Sequence, residues 1–168
     1  YSNWSTRLPN IQTLFFFFNS TLGLTLLCVA IGSLTSMPLT GWLITRRGSK
    51  FATILSSLLF CSILFLFPIL SKVVHLAIFF YVIGFFMGAL DVAMNAQAVA
   101  VEQRFHQPMM SSFHALFSVG MMIGALTTSY FIQYSINTHF FIVSAGSLLF
   151  ILGCLPFLVN DVEKPNAE

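Results

Sequence analysis

Five apolar stretches, each about 20 residues or longer and separated by short polar interruptions, follow one another between residues 20 and 159. An α-helix rises 1.5 Å per residue, so about 20 residues cross the hydrocarbon core of a bilayer with every backbone group bonded inside the helix. The stretches are 20–45, 51–70, 73–101, 109–134 and 140–159. Only 7% of the residues are charged, against about 25% in soluble domains. So few charges cannot clothe a water-facing surface, and the lipid bilayer is the expected environment. The seven Lys and Arg are scattered between the apolar runs, with a net charge of +2, which excludes a basic face for nucleic acid. Cys28, Cys61 and Cys154 all lie inside apolar runs without the paired spacing of a metal site or disulfide framework. No nucleophile–base pair stands out, so neither a cofactor nor an enzymatic activity is expected.

The connections are short: 46–50, 71–72, 102–108 and 135–139. Neighbouring helices must therefore run antiparallel. One alternating set of connections holds Arg46, Arg47, Lys50, Arg104 and Lys164, and the other holds Arg7 and Lys72. Enrichment of Lys and Arg in cytoplasmic loops puts the first set inside. Tyr1 is not a start methionine, and residues 1–7 read as the end of a helix already under way, so the chain is expected to be a fragment.

The spans 51–70 and 140–159 contain nothing more polar than Ser, Cys and a terminal Pro, whereas 73–101 carries Asp91, Asn95 and Gln97. An ionisable group at membrane depth requires a cavity or a partner, so the Asp91 helix is expected at the centre and the plain helices at the periphery. With the stub counted as helix one, the plain helices are three and six, the period that two three-helix repeats produce.

The segment from Gly41 through Thr45, Arg46, Arg47 and Gly48 to Lys50 resembles the loop signature of the major facilitator superfamily (MFS) between helices two and three, Gly-x-x-x-Asp-Arg/Lys-x-Gly-x-Lys/Arg. Gly41 is expected to permit close helix packing, Gly48 to permit a turn, and the three cations to anchor the loop in the cytoplasm. Thr45 stands where the family has its acid, so the family's charge lock at that position is not implied. The runs from Gly88 to Glu102 and from Met110 to Gly120, with Ser2 to Pro9, are similar to the bacterial MosC/YbjJ-type inner-membrane branch of that superfamily.

The resemblance implies an all-α MFS-type bundle, from the end of helix one through helix six of a twelve-helix fold. Residues 1–159 would be the amino-terminal half-bundle and 160–168 the start of a cytoplasmic central linker. It also implies a multi-pass inner-membrane secondary transporter of a small molecule, working by alternating access with a missing carboxy-terminal half or a second copy. A non-transporting helical scaffold that associates with other membrane chains is the alternative.

The residues expected along a substrate or coupling path are Trp4, Arg7, Asp91, Asn95, His114 and Ser118. Gly84, Gly88, Asp91, Asn95 and Glu102 fall on one helical stripe, read first as a packing seam. Gln97 lies about 200° from Asn95 and must face a different partner. Glu102 is expected to be a solvated end-charge. Ser111, His114 and Ser118 share a face of the next helix, which also carries a Gly120 and Gly124 small-residue step, while His75, His106 and His139 are expected at the interfaces. Asp91 and His114 are expected to meet, as a static clamp or a proton-linked switch.

Overall fold

The structure is a computed structural model that describes residues 19–67, 73–131 and 135–158. The fold is all-α, and the described residues form four helices in the order α1 (Asn19–Leu64), α2 (Val73–Phe105), α3 (Met110–Tyr130) and α4 (Ile136–Cys154), closed by a 3₁₀ turn at Leu155–Phe157. Among the described residues, three helical segments are long and apolar enough to cross a membrane: Gly23–Leu64, Val74–Phe105 and Met110–Tyr130. Thr138–Cys154 is a shorter apolar helix.

The first of these, with 42 residues, would be about 63 Å long if straight, twice the hydrocarbon thickness. It is not straight. Gly48 interrupts it with φ 82° and ψ 162°, a conformation open in practice to glycine alone. The contacts on either side reveal a hairpin. Along the first arm, Val29 lies against Gly84, and Ser33 and Ser36 against Gly88, so this arm runs parallel to α2. Along the second arm the order reverses. Gln97 Nε2 donates to Ser49 Oγ (2.7 Å), Thr53 Oγ1 donates to the Ala93 carbonyl (3.2 Å), and Phe67 meets Phe79 (centroids 5.7 Å).

Because Gly48 makes the reversal, its backbone matters more than the charges beside it. Gly48→Val should cost about 1–3 kcal/mol in backbone strain. It should lower the thermal midpoint in detergent and the transport rate of the full-length protein well below those of Lys50→Gln. Equal tolerance of the two changes at equal membrane abundance would rule out the hinge.

The bundle is organised around α2, against which both arms of α1 pack. The first seam is built from backbone. A Cβ at Gly84 would stand 2.7 Å from Val29 Cα, one at Gly32 would stand 2.8 Å from the Phe85 nitrogen, and one at Gly88 would meet the Ser33 and Ser36 hydroxyls at 2.5 Å. Small residues let helix backbones approach in this way where lipid provides no hydrophobic drive. Gly41, expected to permit close helix packing, has nothing among the described residues within 4 Å of an added Cβ, and in this seam the close approach on α1 is made by Gly32. Gly120 is likewise in open space among the described residues.

The second seam carries polar side chains. Ser49, Thr53, Ser56 and Ser57 are buried on one face of the second arm. Thr53 and Ser57 return their hydroxyls to carbonyls four residues earlier, at 2.8 and 2.6 Å, which removes the penalty of burying an unmet hydroxyl. The span read from its composition as plain therefore has a polar, buried side. Towards the other end of this arm the core turns aromatic. Phe60, Leu64 and Phe67 pack with Leu76, Phe79, Phe80 and Phe140, and Phe67 stacks on Phe140 at 4.3 Å. Ser144 of α4 donates to the Cys61 carbonyl.

The helix ends have local causes. Ser135 caps α4 by accepting from the Thr138 amide (3.2 Å), four residues before the expected start, and Pro156 accompanies the 3₁₀ turn that closes it. The end of α2 runs on to Phe105, beyond the expected residue 101, and His106 turns the chain with φ 52°.

Candidate functional site

A cavity of about 510 Å³ opens between α1, α2 and α3. One face of α2 supplies Met87, Gly88, Asp91, Met94 and Asn95, which recur at three- and four-residue steps and so share a side of the helix. Ser33 of α1 stands beside Gly88. Across from them α3 contributes Phe113, His114, Phe117 and Met121. The walls are thus thioether and aromatic, with one carboxylate, one amide, one imidazole and one hydroxyl. Soft apolar walls with a few directional polar groups suit a small molecule with an apolar body.

The glycine seam positions this face. Gly84 and Gly88 press against α1, and α2 then carries Asp91 and Asn95, one and two turns further on, beyond the close approach and into the cavity. Both are exposed to it. Gln97, almost opposite Asn95 on the wheel, is buried against Ser49. The 200° separation therefore has a structural meaning: one amide faces the cavity and the other ties α2 to the α1 hairpin.

Asp91 and His114 line the same cavity, but no hydrogen bond or ion pair joins them. The two groups share the cavity without bonding to each other. Ser118, also expected on the path, is not among the lining residues, and its hydroxyl donates to the His114 carbonyl (3.0 Å). Trp4 and Arg7 lie outside the described residues.

Glu102 is not a solvated end-charge. Its Oε1 accepts from the backbone N–H groups of Met109 and Met110, both at 2.7 Å. These are orphan donors at the start of α3, where a carboxylate is favoured by both hydrogen bonding and the helix dipole. The carboxylate at the end of α2 thus fixes the base of α3, which is otherwise exposed along residues 111–120. No periodicity singles out such a cap, although an acid eight residues before the start of the next helix is a usable signal.

His139, expected at an interface, is fully buried, with its ring 6.1 Å from that of Phe131 and 6.0 Å from that of Phe140. Of the remaining histidines, His75 and His106 are exposed. Among the described residues no three His, Cys, Asp or Glu side chains gather in a way that could hold a metal ion.

In the loop segment, Arg46 lies 5.2 Å over the Trp42 ring and Arg47 lies 5.4 Å over Phe51. Thr45 bonds its hydroxyl to the Trp42 carbonyl (2.7 Å). The loop's two arginines are therefore held by neighbouring aromatics on α1 itself.

The sequence profile described as Major Facilitator Superfamily matches residues 3–168. An uncharacterised MFS-type transporter of Yersinia pestis is 38% identical over 149 residues, covering 89% of this chain and 39% of its own length. An uncharacterised transporter of Sinorhizobium fredii is 32% identical, covering 96% of this chain and 42% of its own length. The membrane protein MosC of Rhizobium meliloti is 30% identical over 166 residues, with 96% of this chain and 40% of its own length covered. The chain spans about two fifths of the length of these relatives.

Proposed function

Since the chain belongs to the major facilitator superfamily, and so to the multi-pass proteins of the bacterial inner membrane, we propose that it forms the amino-terminal half of a secondary transporter for a small molecule. The cavity between α1, α2 and α3 would be this half's share of the substrate path. One observation carries the reading: a carboxylate and an amide on a central, largely apolar helix face a cavity. Asp91 and Asn95 would bind the polar end of the solute, His114 would act from the opposite wall, and Met87, Met94 and Phe117 would enclose its apolar body.

In such folds the site lies near the midplane between two repeats or halves, and access alternates by rocking one against the other. The parts found here suit that motion. The α1 arms and α2 interlock through backbone contacts and would move as a block. By contrast, α3 is held mainly at its base through Glu102, so it would form the more mobile wall. Transport rather than covalent chemistry is the function these parts support.

A path made by two halves cannot be completed by one. Purified chain reconstituted as a monomer should move no solute saturably. The full-length protein should transport at least one member of a panel of radiolabelled cations, anions and sugars, at least about tenfold above empty vesicles. Saturable uptake by demonstrably monomeric chain would overturn the half-transporter reading and favour self-sufficiency.

A further inference from the structure

Away from the cavity, the α1 hairpin carries a second recess with a different chemistry. It is a cleft of about 260 Å³ between the two arms, floored by α2. Leu39 and Trp42 form one wall, Leu55 and Leu59 the other, and Phe85 and Phe86 lie beneath. The two hydroxyls that reach it, on Thr40 and Ser56, already donate to the carbonyls of Ser36 (2.9 Å) and Ala52 (2.5 Å). Among the described residues both hydroxyls are thus met within their own helix, the rest of the lining is almost wholly apolar, and the fitting occupant is hydrocarbon.

Its rim is cationic. Trp42, 58% exposed, lines the cleft with its ring and carries the Arg46 guanidinium over that ring, while Arg47 stands over Phe51. Lys50 lies two residues beyond the Gly48 turn. From Asn19 to Leu64 there is no acidic residue at all, so α1 has three cations at its turn and no counter-charge of its own. Stacking on an aromatic face leaves the guanidinium edge, with its fork of N–H donors, open to a phosphate. Trp42 precedes Gly48 by six residues, about 9 Å along the helix, which puts an apolar cleft and a cationic rim one above the other where a bilayer changes from acyl chain to headgroup.

We propose that this hairpin is a binding site for an anionic phospholipid, with one acyl chain in the cleft and the phosphate held by Arg46, Arg47 and Lys50. The charge complementarity selects an anionic lipid over a zwitterionic one, because the excess negative charge meets three cations that have no acid on their own helix. The lipid would supply the counter-charge that Thr45, in place of an acid, does not.

The chain has two tryptophans, and Trp4→Phe leaves Trp42 as the reporter. The full chain with that change is reconstituted in phosphatidylcholine vesicles containing increasing fractions of phosphatidylglycerol or phosphatidylcholine with brominated acyl chains, and Trp42 quenching is read. The brominated phosphatidylglycerol should quench with an apparent affinity at least about fivefold higher than brominated phosphatidylcholine. Arg46→Gln with Arg47→Gln should bring the ratio close to one at unchanged helicity. In the parent chain, unlabelled phosphatidylglycerol should relieve the quenching, whereas unlabelled phosphatidylcholine and inorganic phosphate should not, a test that does not depend on the variant folding. Equal quenching by the two lipids, no quenching by either because protein covers the cleft, or a preference that survives loss of both arginines would each overturn the proposal.

Discussion

Gly84→Ala should destabilise the protein by several kcal/mol, while Gly146→Ala, the same addition of one methyl, should change stability by no more than about 1 kcal/mol. At Gly84 the new carbon would fall against the backbone of Val29, with its Cα at 2.7 Å. Backbone cannot swing aside as the end of a side chain can, so the helices must separate. That separation would propagate, because Gly32 on α1 makes the same kind of approach to the α2 backbone at Tyr81 and Phe85, and Gly88 approaches Ser33 and Ser36 one turn further along α2. At Gly146 nothing lies within 4 Å of the added carbon, and alanine's better helix propensity is the only local effect. Thermal midpoints in detergent and the yield of folded protein from membranes measure the contrast. Equal behaviour of the two variants would show that the α1–α2 seam is not held at backbone contact.

The seam also illustrates what the sequence made legible. Gly84, Gly88, Asp91 and Asn95 share a helical stripe, and a stripe of glycines in an apolar run has few uses other than close packing. Asp91 could be singled out because a carboxylate in such a run needs a reason to be there. Gly48 could be identified because a reversal between two spans needs a residue that tolerates positive φ. Periodicity does not reveal which face of a neighbouring helix receives a glycine, and for that reason the loop signature points to Gly41 for close packing whereas, among the described residues, Gly32 makes the close approach. The buried face of residues 49–57 was hidden for a related reason: serine and threonine can satisfy themselves on their own helix, so a composition that reads as plain can still be a polar interface. Glu102 and His139 depend on where the next helix begins, and helix boundaries are the part of a sequence reading with the weakest physical signal.

The proposed role of Asp91 leads to the second large effect. The side chain faces the cavity with no hydrogen bond or ion pair among the described residues, so Asp91→Asn should remove a charge but no structural bond, and the folded yield should remain within about a factor of two. Transport should respond very differently. An aspartate exposed to a path at membrane depth is placed to bind a cationic group or a proton, and the isosteric amide can do neither. His114→Gln should have a smaller effect, because the imidazole shares the cavity but does not bond to Asp91.

The most direct measurement is the accumulation ratio of the solute carried by the full-length protein, in vesicles with an imposed proton gradient, for the parent and for Asp91→Asn at matched abundance. The account predicts that accumulation falls at least about tenfold while the protein stays folded. If the charged group couples the gradient to transport, passive exchange of solute across the membrane should persist. Unchanged accumulation and unchanged apparent affinity in the variant would contradict the assignment of this cavity to the substrate path.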